Sequence, residues 1–177
     1  MAKLVVTADI HGSLNGWKRI KKLLKSGDSL AIAGDLFDTR YGSGHSADFK
    51  PDIIRKDFLN LSEKSVKTYY VYGNCDQEDY FKGFFPQLFF EFDGLPILLN
   101  HGHLHAPDLS DVQILIEGHS HIPRLDTMFG KIFLNPGSPS RPRNSVATYA
   151  VIENKRICIM DMIRNKVIAD LSLNPVP

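Results

Sequence analysis

Leu4-Val5-Val6-Thr7-Ala8-Asp9-Ile10-His11-Gly12 and Ser29-Leu30-Ala31-Ile32-Ala33-Gly34-Asp35-Leu36-Phe37-Asp38 share one plan: a short apolar run that breaks into a glycine-containing turn rich in carboxylate or imidazole. Runs this continuously apolar and β-branched suit strands buried on both faces. Between them Trp17, Ile20, Leu23 and Leu24 recur at helical spacing, with Ser13 or Asn15 available as a cap and Lys18, Arg19, Lys21, Lys22 and Lys25 on the other positions. Strand, polar turn, helix and strand make a βαβ unit, which predicts a parallel sheet. The basic residues then read as a solvated outer face rather than a nucleic-acid contact.

The plan repeats along the chain. A helix is expected over about 51–63, with Ile53, Ile54, Phe58, Leu59 and Leu61 inward. Thr68-Tyr69-Tyr70-Val71-Tyr72 ends at Gly73-Asn74-Cys75-Asp76, and a hairpin about Asp93-Gly94 returns to His101-Gly102-His103. Ile114-Leu115-Ile116 ends at Gly118-His119-Ser120-His121, and a second hairpin is expected about Gly130. From Thr148 to Leu173 the chain alternates as strands, which are expected to complete a second sheet. No repeat or linker divides the 177 residues, so residues 1–177 are expected to form one domain.

Composition removes several classes of function. A chain this long, 43% hydrophobic, buries about 70% of its unfolded surface and needs no staples. Cys75 and Cys158 form no CxxC pair, so a disulfide scaffold and a zinc ribbon are unsupported. The formal charge of +1 gives no global field for polyanions, and nucleic acid is not an expected partner. The N-terminal apolar run is too short for a signal-peptide core, and no stretch approaches the roughly 20 apolar residues of a membrane span. Cytoplasm is the expected compartment, with no membrane association.

In an open α/β sheet, ligands gather at the carboxyl ends of the strands, so the five polar turns should converge. Five of the seven histidines fall in them. Buried carboxylates and imidazoles at such density call for a compensating cation. Aspartate oxygen with imidazole nitrogen, and no thiolate pair, suits Mn, Fe, Zn, Co or Ni. Asp9, His11, Asp35, Asn74, His101, His119 and His121 are the candidate ligands. Seven exceed the needs of one ion but suit two ions about 3.5–4 Å apart that share a carboxylate, for which Asp35 is the choice.

The ordered set DxH, GDxxD, GNxD, HGH and GHxH over residues 7–121 resembles the calcineurin-like metallophosphoesterases, and Asn135-Pro136-Gly137-Ser138 resembles a further element of their small prokaryotic members. The short length and Cys75 are similar to the compact single-domain phosphodiesterases of that superfamily. The resemblance implies a two-sheet α/β sandwich of mixed sheets flanked by helices, four layers α/β/β/α. It implies one divalent ion held by Asp9, His11, Asp35 and His121, and another by Asp35, Asn74, His101 and His119. Manganese is the expected metal, with Ni, Co, Zn, Fe or Mg as alternatives. His103 would face the substrate phosphate.

The implied reaction is hydrolysis of a phosphodiester by in-line attack of a hydroxide held by the dinuclear centre. The alternatives are a phosphomonoesterase acting on a nucleotide or small metabolite, and a catalytically weak metal-binding scaffold for a protein partner. Many relatives carry histidine where this chain has Cys75, a poor general acid for an alkoxide, and Asp38 stands where relatives orient that histidine. Asn74, Cys75, Asp38 and His103 are therefore the candidate catalytic positions. Arg40 is a candidate phosphate contact. Arg141 and Arg143 read as loop solubilisers, His45 as solvated, and His105 as open between a loop position and a role. Phe81, Phe84, Phe85, Phe89, Phe90 and Phe92 should mostly pack, with any exposed remainder suited to a homo-oligomer interface or a lid.

Overall fold

The computed structural model describes residues 2–41, 46–81, 85–104 and 107–173. His45, Phe84 and His105 lie outside them. Elements follow in the order β1 (Leu4–Thr7), α1 (Leu14–Leu23), β2 (Ser29–Ala33), α2 (Pro51–Leu59), a 3-10 turn (Ser62–Lys64), β3 (Lys67–Val71), β4 (Gln87–Phe92) and β5 (Leu95–Asn100). Then come β6 (Ile114–Ile116), β7 (Arg124–Met128), β8 (Lys131–Asn135), β9 (Thr148–Glu153), β10 (Arg156–Asp161) and β11 (Lys166–Ser172). Both expected hairpins are present, turning at Asp93-Gly94 and Phe129-Gly130.

Two mixed sheets face one another, in the orders β11-β10-β9-β1-β2-β3 and β4-β5-β6-β8-β7. The first carries the parallel trio β1, β2 and β3, and the second the parallel trio β5, β6 and β8. Alternation along each strand feeds two cores. In β1, Leu4 and Val6 enter the layer between the sheets while Val5 points to the helices, which is why the run had to be apolar throughout. Ile97, Leu99, Ile114 and Ile116 meet that inner layer from the second sheet.

The C-terminal strands correct one expectation. They extend the first sheet: β9 pairs antiparallel with β1, Leu4 opposite Ile152, on the edge that β2 leaves open. Ala150, Ile152, Ile157 and Ile159 thereby enter the inter-sheet core. The second sheet is built instead from β4 to β8.

Both helices pack on the first sheet, where Trp17, Ile20, Ile54 and Phe58 cover Val5, Leu30 and Ile32. Among the described residues no helix covers the outer face of the second sheet; Leu109 and Val112 do so, against Leu98 and Leu115. The second helix stops at Leu59, earlier than expected, and Ile53 and Leu59 are about half exposed. Ile54 and Phe58 lie one turn apart and define the buried stripe, so their neighbours fall about 100° to either side. Among the described residues no helix is long and apolar enough to cross a membrane.

Candidate metal centre

The turns after β1, β2, β3, β5 and β6 converge at one end of the sandwich. Their residues adopt an uncommon backbone: Asp9, His11, Asp35, Asp38, His119 and His121 have φ of 54°, 51°, 51°, 55°, 66° and 58°. Left-handed conformations cost free energy for residues with a Cβ and persist only where the surroundings impose them. Here the loops impose them on each other, since Asp9 N–H donates to Gly34 O at 3.1 Å and His11 N–H to Asp35 O at 2.8 Å. Two glycines make the approach possible. A Cβ on Gly34 would lie 2.5 Å from His101 Nδ1, and one on Gly73 would lie 2.6 Å from Asp35 Cγ.

The candidate ligands form two groups that share Asp9. Ligand atoms of Asp9, His11 and His121 lie within 4.8 Å of one another, and so do those of Asp9, Asp35 and His101. Asp35 Oδ2, in the second group, is 3.3 Å from His101 Nε2 and also 3.7 Å from His11 Nε2 of the first. Asn74 Oδ1 stands 3.1 Å from His101 Nε2. The His119 ring is more exposed, 5.1 Å from that of His101 between centroids.

The donor set fits cations. His121 Nδ1 donates to the carbonyl of Arg141 at 2.7 Å, and His101 Nδ1 to that of Ala33 at 2.7 Å. A carbonyl only accepts, so Nδ1 carries a proton in both rings, and Nε2 of a neutral His121 ring carries the lone pair. Burial lowers His101, but the Asp35 hydrogen bond and charge outweigh it and favour the charged ring, whose Nε2 donates to Asp35. His121 Nε2 then faces His11 Nε2 at 3.1 Å, and His101 Nε2 faces the oxygens of Asp35 and Asn74. Imidazole nitrogens and carboxylate oxygens converge on one small volume, an arrangement that suits a cation. Asp9 Oδ2 is buried without a partner. Burial, reinforced by the Asp35 charge and only partly offset by His101, pushes the Asp9 carboxyl up to about 7. Burial also acts on Asp35, but the His101 hydrogen bond and charge outweigh it and hold this carboxyl well below the usual range.

The residues around the ligands divide by contact. His103 is half-buried at the rim, its ring 5.2 Å from that of His101, and its Nδ1 has no partner. Burial and the His101 and His119 imidazoles hold His103 below the ordinary imidazole value. Burial, with the carboxylates of Asp35, Asp38 and Asp76, pushes the Cys75 thiol far up, so it stays protonated. Asp38 is buried; its Oδ2 accepts from Arg141 at 3.1 Å and lies 3.2 Å from His11 Nδ1. Arg40 bonds the backbone oxygen of Asp76.

Several positions outside the candidate ligand and catalytic residues also act on the site. Asp76 is fully buried and accepts from the N–H groups of Leu36, Phe37, Asp38 and Gly73 and from Tyr70 Oη at 2.7 Å. It fixes the Asp35–Asp38 turn to the Asn74 turn. Ser138 and Ser140 donate to the backbone oxygen of Asp9, and Asn135 donates to that of Gly118, so the 135–140 segment clamps two ligand turns. Arg141 is a clamp on His121 and Asp38 rather than a loop solubiliser, since both groups meet it over more than a dozen intervening residues. In the chain, Asp76 stood out as the last residue of GNxD and Asn135-Pro136-Gly137-Ser138 as a family-like element, whereas nothing marked Ser140 or the Arg141 contacts.

Known proteins resemble this chain in sequence and fold. The model of the calcineurin-like phosphoesterase superfamily domain matches residues 2–156. Phosphodiesterase YfcE of Escherichia coli strain K12 is 31% identical over 190 residues, covering 99% of this chain and 100% of its own length. A solved structure of Yfce, a phosphoesterase from E. coli, superposes with a TM-score of 0.77 at 26% identity, over 97% of this chain and all of that one. Vps29 of Entamoeba histolytica, solved with zinc, gives a TM-score of 0.66 at 20% identity over 97% of this chain and 99% of its own, a likeness of fold alone. Fold, ordered ligand turns and near full-length similarity agree: the chain belongs to the calcineurin-like phosphoesterase superfamily.

Proposed function

We propose that the chain is a phosphodiesterase whose centre takes two divalent metal ions, one at Asp9, His11, Asp35 and His121 and one at Asp35, Asn74, His101 and His119. The observation that carries this reading is the face-to-face approach of His11 Nε2 and His121 Nε2 at 3.1 Å, with the His121 proton committed to Arg141 O. Similarity to a phosphodiesterase along the full chain supports the diester. Manganese is the preferred occupant, since oxygen and imidazole ligands admit it and other borderline ions alike.

Bound divalent ions would supply Lewis acidity, acidifying a water and offsetting charge on the phosphoryl oxygens. The chain does the positioning. Ala33 O and Arg141 O fix which nitrogen each imidazole presents. His103 stands at the open rim beside His101, where a neutral imidazole hydrogen-bonds a phosphate oxygen without adding a charge. Cys75 keeps its proton, so departure of the alcohol relies on a leaving group that needs no strong acid.

The test is chelator-stripped protein assayed on bis(p-nitrophenyl) phosphate and on p-nitrophenyl phosphate, with Mn, Ni, Co, Zn or Mg restored singly. Metal-dependent cleavage that favours the diester is expected. A preference for the monoester turns the reading to a phosphatase, and silence in protein shown to bind two ions turns it to a scaffold.

A further inference from the structure

Two cavities flank the candidate centre on the side of the second sheet, and they share one charged wall. The smaller, about 110 Å³, is lined by His101, His103, Asn100, Gln87 and Glu117. The larger, about 370 Å³, runs from His119 over Ile122 and Phe133 to Arg124, with Glu117 again in its lining. Neither Glu117 nor Asn100 belongs to the ligand set. Glu117 is half-buried directly after β6 and before the Gly118–His121 turn; burial pushes its carboxyl up, and Arg124 and the Asn100 side chain partly offset this. Asn100 is nine-tenths buried, and its Oδ1 has no partner.

Resting on the phosphodiesterase reading above, we propose that the cavity bounded by Glu117 and Asn100 beside His101 and His103 is a subsite for the alcohol arm of the diester, selecting a small, uncharged arm that carries hydroxyl groups. The chemistry follows from the wall. A carboxylate and an amide oxygen without a partner are acceptors, so the group that completes them must donate. A carboxylate wall repels an anionic arm. Arg124 lies close enough to Glu117 to offset part of its charge, which favours a neutral hydroxyl over a cationic head. The volume is that of roughly four waters at about 30 Å³ each, the size of a short polyol. An arm without hydroxyls leaves these acceptors unpaired, and a site built to hydrogen-bond a hydroxyl discriminates against the analogue that lacks it.

The experiment compares three substrates of the metal-loaded protein that share p-nitrophenolate as the leaving group and differ in the other arm: propyl, 2,3-dihydroxypropyl and 2-carboxyethyl. The dihydroxypropyl ester is expected to exceed the propyl ester in kcat/KM by about tenfold, the effect of one good hydrogen bond, and the carboxyethyl ester to fall below propyl. In Glu117→Gln, which keeps the volume and removes the charge, the dihydroxypropyl preference is expected to shrink to about twofold and the penalty on carboxyethyl to fade. Equal turnover of propyl and dihydroxypropyl esters by the unaltered protein overturns the subsite and leaves the reaction standing, and it needs no variant. A preference that survives in Glu117→Gln likewise overturns it. No turnover of any of the three overturns the phosphodiesterase reading and the subsite together.

Discussion

The backbone carbonyl of Arg141 accepts the Nδ1 proton of His121 at 2.7 Å, while the guanidinium of the same residue donates to Asp38 Oδ2 at 3.1 Å. Arg141 thereby touches both halves of the His11–His121 pair: one ring through its backbone, the other through a carboxylate 3.2 Å from His11 Nδ1. Replacing Arg141 by Ala keeps the carbonyl and removes the guanidinium. The variant is expected to bind its metal about tenfold or more weakly, the usual scale for a group that orients a ligand, and to lose about 1 kcal/mol of stability. Metal titration and urea unfolding check both, and wild-type values in each would show that Asp38 is held without Arg141.

Asp35 Oδ2 lies within reach of His101 in one group of ligands and of His11 in the other. Asp35→Asn keeps the shape and one acceptor oxygen but removes the charge two cations would share. Turnover of a diester should fall by about 100-fold or more, with at least one equivalent of bound metal lost. Activity equal to wild type at full metal occupancy would refute the assignment of the bridge.

Asp76 tests whether the scaffold behind the site matters as much as its lining. Its carboxylate accepts from four backbone N–H groups and the Tyr70 hydroxyl, all in the interior. Asp76→Ala leaves these donors unpaired and should cost about 3–5 kcal/mol, whereas Asp76→Asn keeps one oxygen and should cost less. Denaturant midpoints decide it: similar losses for the two variants would mean that volume, not hydrogen bonding, sets the cost.

These contacts also mark the limit of what the chain announces about itself. Apolar runs ending in Asp9, Asp35, Asn74, His101 and His119 were legible because a strand buried on both faces has no other place for a polar residue than its end. The sheet joined by β9 was not, since Thr148–Glu153 alternates in a way that suits either sheet and only the open edge of β1 decides. Asp38 stands where relatives orient a histidine, which left its role here open. The orienting role has no partner when position 75 is cysteine, and Arg141, distant in sequence, takes the carboxylate. The left-handed backbone of six site residues was equally silent, because the inter-loop hydrogen bonds that impose it are tertiary.

Away from the site, Asp57 joins the two helices by accepting from Trp17 Nε1 at 3.2 Å and pairing with Lys21. Burial would raise its carboxyl, but the hydrogen bonds from Lys21 and Trp17 outweigh it and hold the group below its ordinary 3.8. A depressed native value means that the unfolded chain binds the proton more readily, so the contribution is complete above the ordinary value and fades as pH falls through the native one. The stability difference between wild type and Asp57→Asn, up to about 1 kcal/mol for so exposed a pair, should be constant from pH 5 to about 7 and shrink below about pH 4. A difference independent of pH would assign it to the Trp17 contact alone.

Cys75 sets the last test. The thiol stays protonated and sits within 4.8 Å of ligand atoms of His11 and Asp38, so a histidine placed there can reach the carboxylate that orients its counterpart in relatives. If a missing acid limits cleavage, Cys75→His should raise kcat/KM for an alkyl leaving group by about tenfold or more, and far less for p-nitrophenolate, which needs no proton to depart. Arg141 competes for the same carboxylate, so Cys75→His combined with Arg141→Ala should show the larger contrast between the two leaving groups. Equal effects on both leaving groups in both variants would mean that proton delivery does not limit the reaction, and that cysteine at this position reflects packing against Asp35 and Asn74 rather than a lost acid.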